Sequence, residues 1–327
     1  MVVLDRRSTT TDDAGAEADV GRTLSPLQHG RTDPTTWIDR VGNAGDAAGR
    51  FTRATFTPDG PATVNIRWGT RREHLDREHG DAVVLDADAW GPGAEWIMSR
   101  VPFMIGDADA GAPDLEVDDH PVVAAAARNG RRIRLGASGT LYHELLPTII
   151  EQRITSVEAK RQWALLCREL GAPAPGPFPG LLLPPAPEVL AAQPSWWFHP
   201  LGIERARVQP LVEVARHAAK LWTWAELDPR ETERKLWLLR GVGVWTTGVA
   251  LAAAMGDPDA VPIGDYHVKN IVGWALAGEA RASDQRMLEL LAPYAGQRGR
   301  VVRLLRADGH GAPKFGPRRR ILPMARW

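Results

Sequence analysis

Cysteine is almost missing from this chain: Cys167 is the single one in 327 residues. One thiol can form neither an internal disulfide nor an iron–sulfur centre held by cysteines alone. It sits in the helical pattern AKRQWALLCREL, where a small apolar side chain fits a packed face. Lysine is scarce too, at positions 160, 220, 235, 269 and 314, so the basic complement is nearly all arginine. Guanidinium groups favour planar, two-point contacts such as those to phosphate, although a GC-rich gene produces the same bias. No stretch has the roughly eighteen apolar residues a membrane helix needs, and the longest candidate runs only from Val249 to Met255. The opening MVVLDRRSTTTDDAGAEADV has no apolar segment of signal-peptide length. The expectation is a cytoplasmic globular protein with no membrane partner.

Charge of one sign is also missing, since the formal net charge is zero, which excludes a strongly basic protein that coats nucleic acid. The charge is unevenly spread, however. From Arg298 onward, Arg300, Arg303, Arg306, Lys314, Arg318, Arg319, Arg320 and Arg326 face only Asp308. That stretch is a candidate phosphate-facing surface, or else a solvated end.

What is present, 44% apolar residues, is enough for one large core or two smaller ones. Residues 1–50 mix Asp, Gly, Thr and Arg without periodicity, so they read as poorly ordered or partly docked near Leu24 to Leu27. Residues 51–119 read as a small antiparallel sheet plus helix. RATFTPDGPATVNIRW predicts two short strands about a Pro-Asp-Gly-Pro turn, DAVVLDADAW another, and GPGAEWIMSRVPFMIG a helix across one sheet face. Residues 120–327 read as helix after helix, interrupted by the extended Pro-rich link APAPGPFPGLLLPPAPEVL. The fold class is mainly α with a small N-terminal α+β domain.

Within the helical region, Asp228-Pro229-Arg230-Glu231 has an N-capping acid followed by Pro at the first helical position, which predicts a helix to about Arg240. Gly241-Val242-Gly243 stops it, and a second helix runs from about Val244 to Met255. Two glycines permit positive φ and close backbone approach, and the new helix presents unpaired N–H groups at its positive dipole end. Such a helix start suits one phosphate, gripped without base specificity. By itself, a helix-GxG-helix is equally a plain turn between core helices. Beyond it, Asp265 in VPIGDYHVKN stands where it can cap the next helix.

The segment LLRGVGVWTTGVALAAAMGDPDAVPIGDYHVKN resembles the helix-hairpin-helix motif and following Asp loop of the base-excision DNA glycosylase superfamily, in particular the bacterial 3-methyladenine DNA glycosylase II group. The hairpin, the Trp-Thr pair, the spacing to the Asp and the Asp-Tyr dipeptide carry it. The likeness extends more weakly over residues 51 to 310, with a cleft between helical layers.

The resemblance implies that Asp265 is the catalytic carboxylate facing the sugar of a flipped nucleotide, and that Gly241, Val242, Gly243 and Thr246 contact DNA phosphate. It implies a base pocket at Trp245, Val249 and Tyr266. Relatives that also cut the backbone carry Lys where this chain has Trp245, so a monofunctional enzyme is expected. Val249 replaces a Tyr of the bacterial relatives. Gln152 and Arg153 align with the loop that supplies the wedge filling the gap left by the flipped nucleotide, and Arg departs from the apolar wedge. Trp196, Trp197 and Phe198 could line the cleft or belong to the core. Family members also bind a monovalent cation on hairpin carbonyls, here those of Trp237, Leu239 and Val242. No organic cofactor is implied.

The implied activity is hydrolysis of the N-glycosidic bond of alkylated purines, such as 3-methyladenine or 7-methylguanine, in double-stranded DNA. The implied setting is a monomer associated with a bacterial nucleoid. The rival readings are a DNA-binding protein that has kept the hairpin and lost excision, and a helical scaffold with no nucleic-acid role.

Overall fold

The computed structural model describes residues 2–4, 19–41, 48–71 and 82–313. Five antiparallel strands form one sheet in the order β1-β5-β4-β3-β2. They are β1 (Val2–Leu4), β2 (Thr36–Val41), β3 (Ala48–Thr57), β4 (Gly60–Arg71) and β5 (Ala82–Trp90). β3 and β4 meet at a tight turn, where the Thr57 hydroxyl donates to the Gly60 carbonyl at 2.8 Å and accepts from the Asp59 N–H at 3.2 Å. Both strands are longer than their apolar pattern suggests, because buried threonines continue the pairing past the apolar positions. The sheet begins upstream of residue 51. β2 pairs with β3, β1 with β5, and Leu24 and Leu27 are buried against the sheet.

Alternation decides which side chains go where. Ala62, Val64, Ile66 and Trp68 of β4 share one face with Phe51, Leu85, Ala87 and Ala89. That face takes the short helix α1 (Val20–Leu24) and helix α2 (Ala94–Met104), whose Ile97, Met98, Val101 and Met104 are buried. The opposite face, at Ala54 and Phe56, is covered by Leu181, Leu183 and Phe178 of the Pro-rich link. The link is held by the Pro173–Leu182 bridge and by Leu182 N–H on the Pro34 carbonyl.

The remaining helices make two cores. The first gathers around α4 (Leu141–Glu151), buried at every residue from Leu141 to Ile150, after α3 (Pro121–Gly130) has started the other. α5 (Ser156–Leu170), α6 (Pro187–Ala191), α7 (Arg205–Arg216), α8 (Ala218–Trp224) and α9 (Pro229–Leu236) enclose α4 together with α10 (Val244–Ala254). Cys167 is a buried member of that core, and burial pushes its thiol pKa well up. α11 (Val268–Ala277), α12 (Asp284–Leu291) and α13 (Arg298–Ala307) pack with α3 into the second core. No described helix is long and apolar enough to cross a membrane.

A buried polar seam joins sheet to helices. Arg53 of β3 donates to Glu144 of α4 at 2.5 Å and to the Leu27 carbonyl at 2.7 Å. His143 lies between the hydroxyls of Thr55 and Thr35, at 3.0 and 3.1 Å. Asp33 accepts from Trp163 Nε1 at 3.0 Å and from Thr35, fastening the segment before β2 to α5.

Candidate active site

The Asp228 side chain caps α9 by accepting the Arg230 N–H at 2.8 Å. The helix ends at Leu236 rather than near Arg240. From there the chain tightens into successive three-residue turns, with Leu239 N–H on the Leu236 carbonyl and Val242 N–H on the Leu239 carbonyl, both at 3.0 Å. A repeat of three sends Leu236, Leu239 and Val242 into the first core and leaves Trp237 and Leu238 exposed.

The two hairpin glycines play different parts. Gly241 has φ +85°, and a Cβ there would lie 2.8 Å from Pro210, so both conformation and space demand glycine. Gly243 has φ −101° with nothing within 4 Å, an extended residue with open space before it. α10 then starts at Val244 with no side-chain cap. Thr247 N–H reaches the Gly243 carbonyl at 2.9 Å, so the N–H groups of Val244, Trp245 and Thr246 form the first turn, beyond any intrahelical acceptor. Thr246 has its side chain turned inward, where the hydroxyl accepts from Gln152 Nε2 at 2.9 Å. What Thr246 can offer a phosphate is its backbone N–H.

Gly248, in the middle of α10, lets the chain before Asp265 lie directly on the helix, because a Cβ there would come within 2.5 Å of the Val261 carbonyl oxygen. Gly264 then turns at φ +94°, its N–H held by Asp284 Oδ1 at 2.9 Å. Asp284 Oδ2 also holds the Lys269 amine at 3.1 Å. Asp284 and Lys269 were passed over in reading the sequence; the signal that could have found Asp284 is Ser283 before it, which caps α12.

Asp265 arrives with both oxygens engaged. Oδ1 accepts the N–H groups of His267 and Val268 at 2.7 and 2.9 Å, closing the turn that opens α11, and Oδ2 accepts the Trp245 indole N–H at 3.1 Å. The carboxylate from the second helical layer is thus bonded to the first turn of the hairpin helix in the other. Val249 lies half-buried one turn beyond Trp245 on α10. Tyr266 is 70% exposed, its ring packed edge-on against His267 at 5.1 Å, so it stands at the rim beside Asp265.

Other expected site residues are placed differently. Gln152 spends its amide on the hairpin, donating to the Gly241 carbonyl at 3.0 Å as well as to Thr246. Arg153 next to it is exposed. Phe198 is core, Trp197 packs edge-on against it at 5.2 Å, and Trp196 is exposed.

Three of the four arginines of α13 bond within the protein rather than standing free as a phosphate surface. Arg298 pairs with Asp259, Arg300 is buried on Asp109, and Arg303 donates to the Arg22 carbonyl. Burial pushes the Arg303 pKa down to about 10. Burial alone would raise the Asp109 carboxyl, but Arg300 and the Leu135 and Gly111 N–H groups hold it below its ordinary range. Only Arg306 of this group is exposed in α13, and Lys314, Arg318, Arg319, Arg320 and Arg326 lie outside the described residues. No cluster of His, Cys, Asp and Glu among the described residues could hold a metal.

No family model matches the sequence, and no curated protein matches it either. Solved structures do match. The 3-methyladenine DNA-glycosylase from Archaeoglobus fulgidus superposes with a TM-score of 0.68 over 94% of this chain and 98% of its own, at 15% identity. MBOgg1, solved with a low-affinity DNA ligand, gives 0.61 over 93% and 96% at 18% identity. The Clostridium acetobutylicum 8-oxoguanine glycosylase/lyase, solved with double-stranded DNA, gives 0.55 over 82% and 96% at 16% identity. The chain therefore has the fold of the helix-hairpin-helix DNA glycosylases.

Proposed function

We propose that this chain is a monofunctional DNA glycosylase that removes alkylated purines, of the 3-methyladenine and 7-methylguanine type, from duplex DNA as a monomer. The observation that carries the reading is the bond between Trp245 and Asp265, which puts an acceptor carboxylate against the first turn of a phosphate-gripping hairpin helix. The fold shared with the Archaeoglobus 3-methyladenine DNA-glycosylase supports it, and the fold shared with the Clostridium glycosylase/lyase supports the coarser reading of a DNA glycosylase.

The first-turn N–H groups of α10 grip a phosphate of the lesion strand. The damaged nucleotide swings out of the stack, and its sugar faces Asp265. The N-glycosidic bond breaks with its electron pair going to the base nitrogen. Positive charge grows on the sugar ring, and the fixed carboxylate stabilises it. Water then adds its oxygen to C1′ and releases a proton. A purine methylated at N3 or N7 is already cationic and leaves as a neutral base, so one carboxylate suffices where ordinary glycosidases use two. The indole face of Trp245 attracts such a cation.

Strand cutting by a Schiff base needs an amine at the reacting sugar. Trp245 occupies the hairpin-helix position where lyase relatives have one, and Lys269, the lysine nearest Asp265 in sequence, is paired with Asp284. Exposed Arg153 fills the gap left by the flipped nucleotide. A monovalent cation would rest on the carbonyls of Trp237, Leu239 and Val242, an all-oxygen set of the kind such ions take. The Leu239 carbonyl already accepts the Val242 N–H and keeps one lone pair for the ion, which supplies only charge toward the phosphate.

The test is release of free base from duplex DNA carrying methylated purines. The wild type should release base without borohydride-trappable intermediate, and Asp265→Asn should be slower by about 100-fold or more at unchanged DNA affinity. Salt-sensitive binding with no release from any methylated duplex would instead indicate a binding protein that has lost excision.

A further inference from the structure

The loop joining α4 to α5 contains the one non-glycine residue with positive φ among the described residues, Arg153 at 61°. A side chain there crowds the neighbouring carbonyl, and the conformation persists only where the surroundings over-determine it. Those surroundings are visible on both sides. α4 closes with the Gln152 N–H on the Ile149 carbonyl at 3.2 Å. The Gln152 amide then reaches the hairpin, giving one hydrogen to the Gly241 carbonyl at 3.0 Å and the other to Thr246 Oγ1 at 2.9 Å. Beyond Arg153, Ile154 packs on the first core and Thr155 caps α5 by accepting the Glu158 N–H at 3.3 Å. Arg153 is thus the single exposed residue of a loop fastened at both ends, and one fastening is to the hairpin itself.

The receiving atoms are just as constrained. The Gly241 carbonyl is aimed by a left-handed backbone that Pro210 leaves room for only in glycine, and the Thr246 hydroxyl is buried under the hairpin. Gln152 therefore reports the position of the hairpin to the neighbouring residue.

We propose that Gln152 is a positioning residue that sets the register between the phosphate-gripping hairpin and Arg153. The Arg153 guanidinium enters the duplex at a fixed offset from the held phosphate and stacks in the space the flipped nucleotide leaves. A planar guanidinium stacks on base faces as well as bonding phosphate, so its placement decides which it does. The inference rests on the glycosylase reading above.

The experiment uses the full chain and a duplex with 2-aminopurine beside a methylated purine. Flipping is read by fluorescence, excision by single-turnover base release, grip by affinity for undamaged duplex, and folding by the melting midpoint. Gln152→Ala and Gln152→Glu should each lower flipping and release by about tenfold, a coupling of ordinary size between touching residues, with duplex affinity and melting nearly unchanged. The double variant Gln152→Ala/Arg153→Ala should be no worse than Arg153→Ala alone. Thr246→Val, which keeps volume and deletes one of the two contacts, should show a smaller loss of the same kind even if Gln152→Ala melts early. Losses that multiply in the double variant, or affinity that falls in step with release, would overturn the inference. A wild type that flips but releases no base sinks the glycosylase reading instead, and the coupling between Gln152 and Arg153 is then still decided by fluorescence.

Discussion

Trp245 Nε1 lies 3.1 Å from Asp265 Oδ2, and with two backbone N–H groups on Oδ1 the carboxylate is fixed by three donors, one from α10 and two from the turn that opens α11. The turn that opens α11 supplies two of them, which any Asp just before a helix can recruit. The third comes from the other helical layer, so the indole sets where the carboxylate points.

Removing that third donor while keeping an aromatic ring isolates its effect. Trp245→Phe should lower single-turnover base release by about tenfold, as expected for one hydrogen bond to a charged group, with little change in KM. A loss confined to KM would mean that Trp245 acts by stacking on the base alone.

Gly248 is the spacer that allows the Asp265 loop to rest on α10. Gly248→Ala puts a methyl 2.5 Å from the Val261 carbonyl oxygen, a backbone atom that cannot swing aside. Destabilisation of about 1–3 kcal/mol is expected from the overpacking, with a larger proportional loss of base release because the Asp265 loop is displaced. Chemical denaturation and a base-release assay on the same preparation separate the two effects.

The Arg53–Glu144 pair is buried on both sides, each side chain about 1% exposed. Deleting one partner strands the other charge in the seam. Arg53→Met should cost about 3–5 kcal/mol by denaturant unfolding, and the double variant Arg53→Met/Glu144→Leu should recover much of that loss. Equal destabilisation by single and double variants would contradict the pairing.

Stability should fall toward acid in two windows. Burial, helped by the charges of Arg53 and His29, holds the His143 pKa well below its ordinary 6.5. The unfolded chain therefore takes up a proton that the native state refuses, so His143 contributes fully above pH 6.5 and loses its contribution as pH falls below that value. Burial would raise Glu144, but Arg53, His29 and Ser138 hold it below its ordinary 4.5, so it adds a second loss of the same sign below pH 4.5. The slope should approach about 1.4 kcal/mol per pH unit for one proton in the upper window. His143→Gln should flatten that window and leave the lower one, as read from urea midpoints across the pH range.

Local signals account for much of what was legible in the sequence. Asp228-Pro229 marks a helix start, and alternation over residues 62 to 68 marks a strand with one buried face. The Gly-Val-Gly break and the Asp before α11 were readable because a cap or a turn involves residues a few positions apart. The arginines of α13 were misread for the complementary reason. Arg298 and Arg300 find Asp259 and Asp109, 39 and 191 positions away, and no periodicity records a partner at that distance. The bonds of Gln152 were illegible for the same reason, since its acceptors, Gly241 and Thr246, lie 89 and 94 positions further on.

The sequence by itself determined most of the elements after residue 50, the hairpin with its glycines, and the presence of Asp265 at a helix start beyond it. These follow from backbone sterics and short-range hydrogen bonding, which act within a turn or two. Only the tertiary structure decided that Trp245 donates to Asp265, that Asp284 holds the loop, and that Gln152 ties the Arg153 loop to the hairpin. The first of those bonds depends on how two cores pack together and the other two on packing within one core, and packing is decided by the whole chain at once.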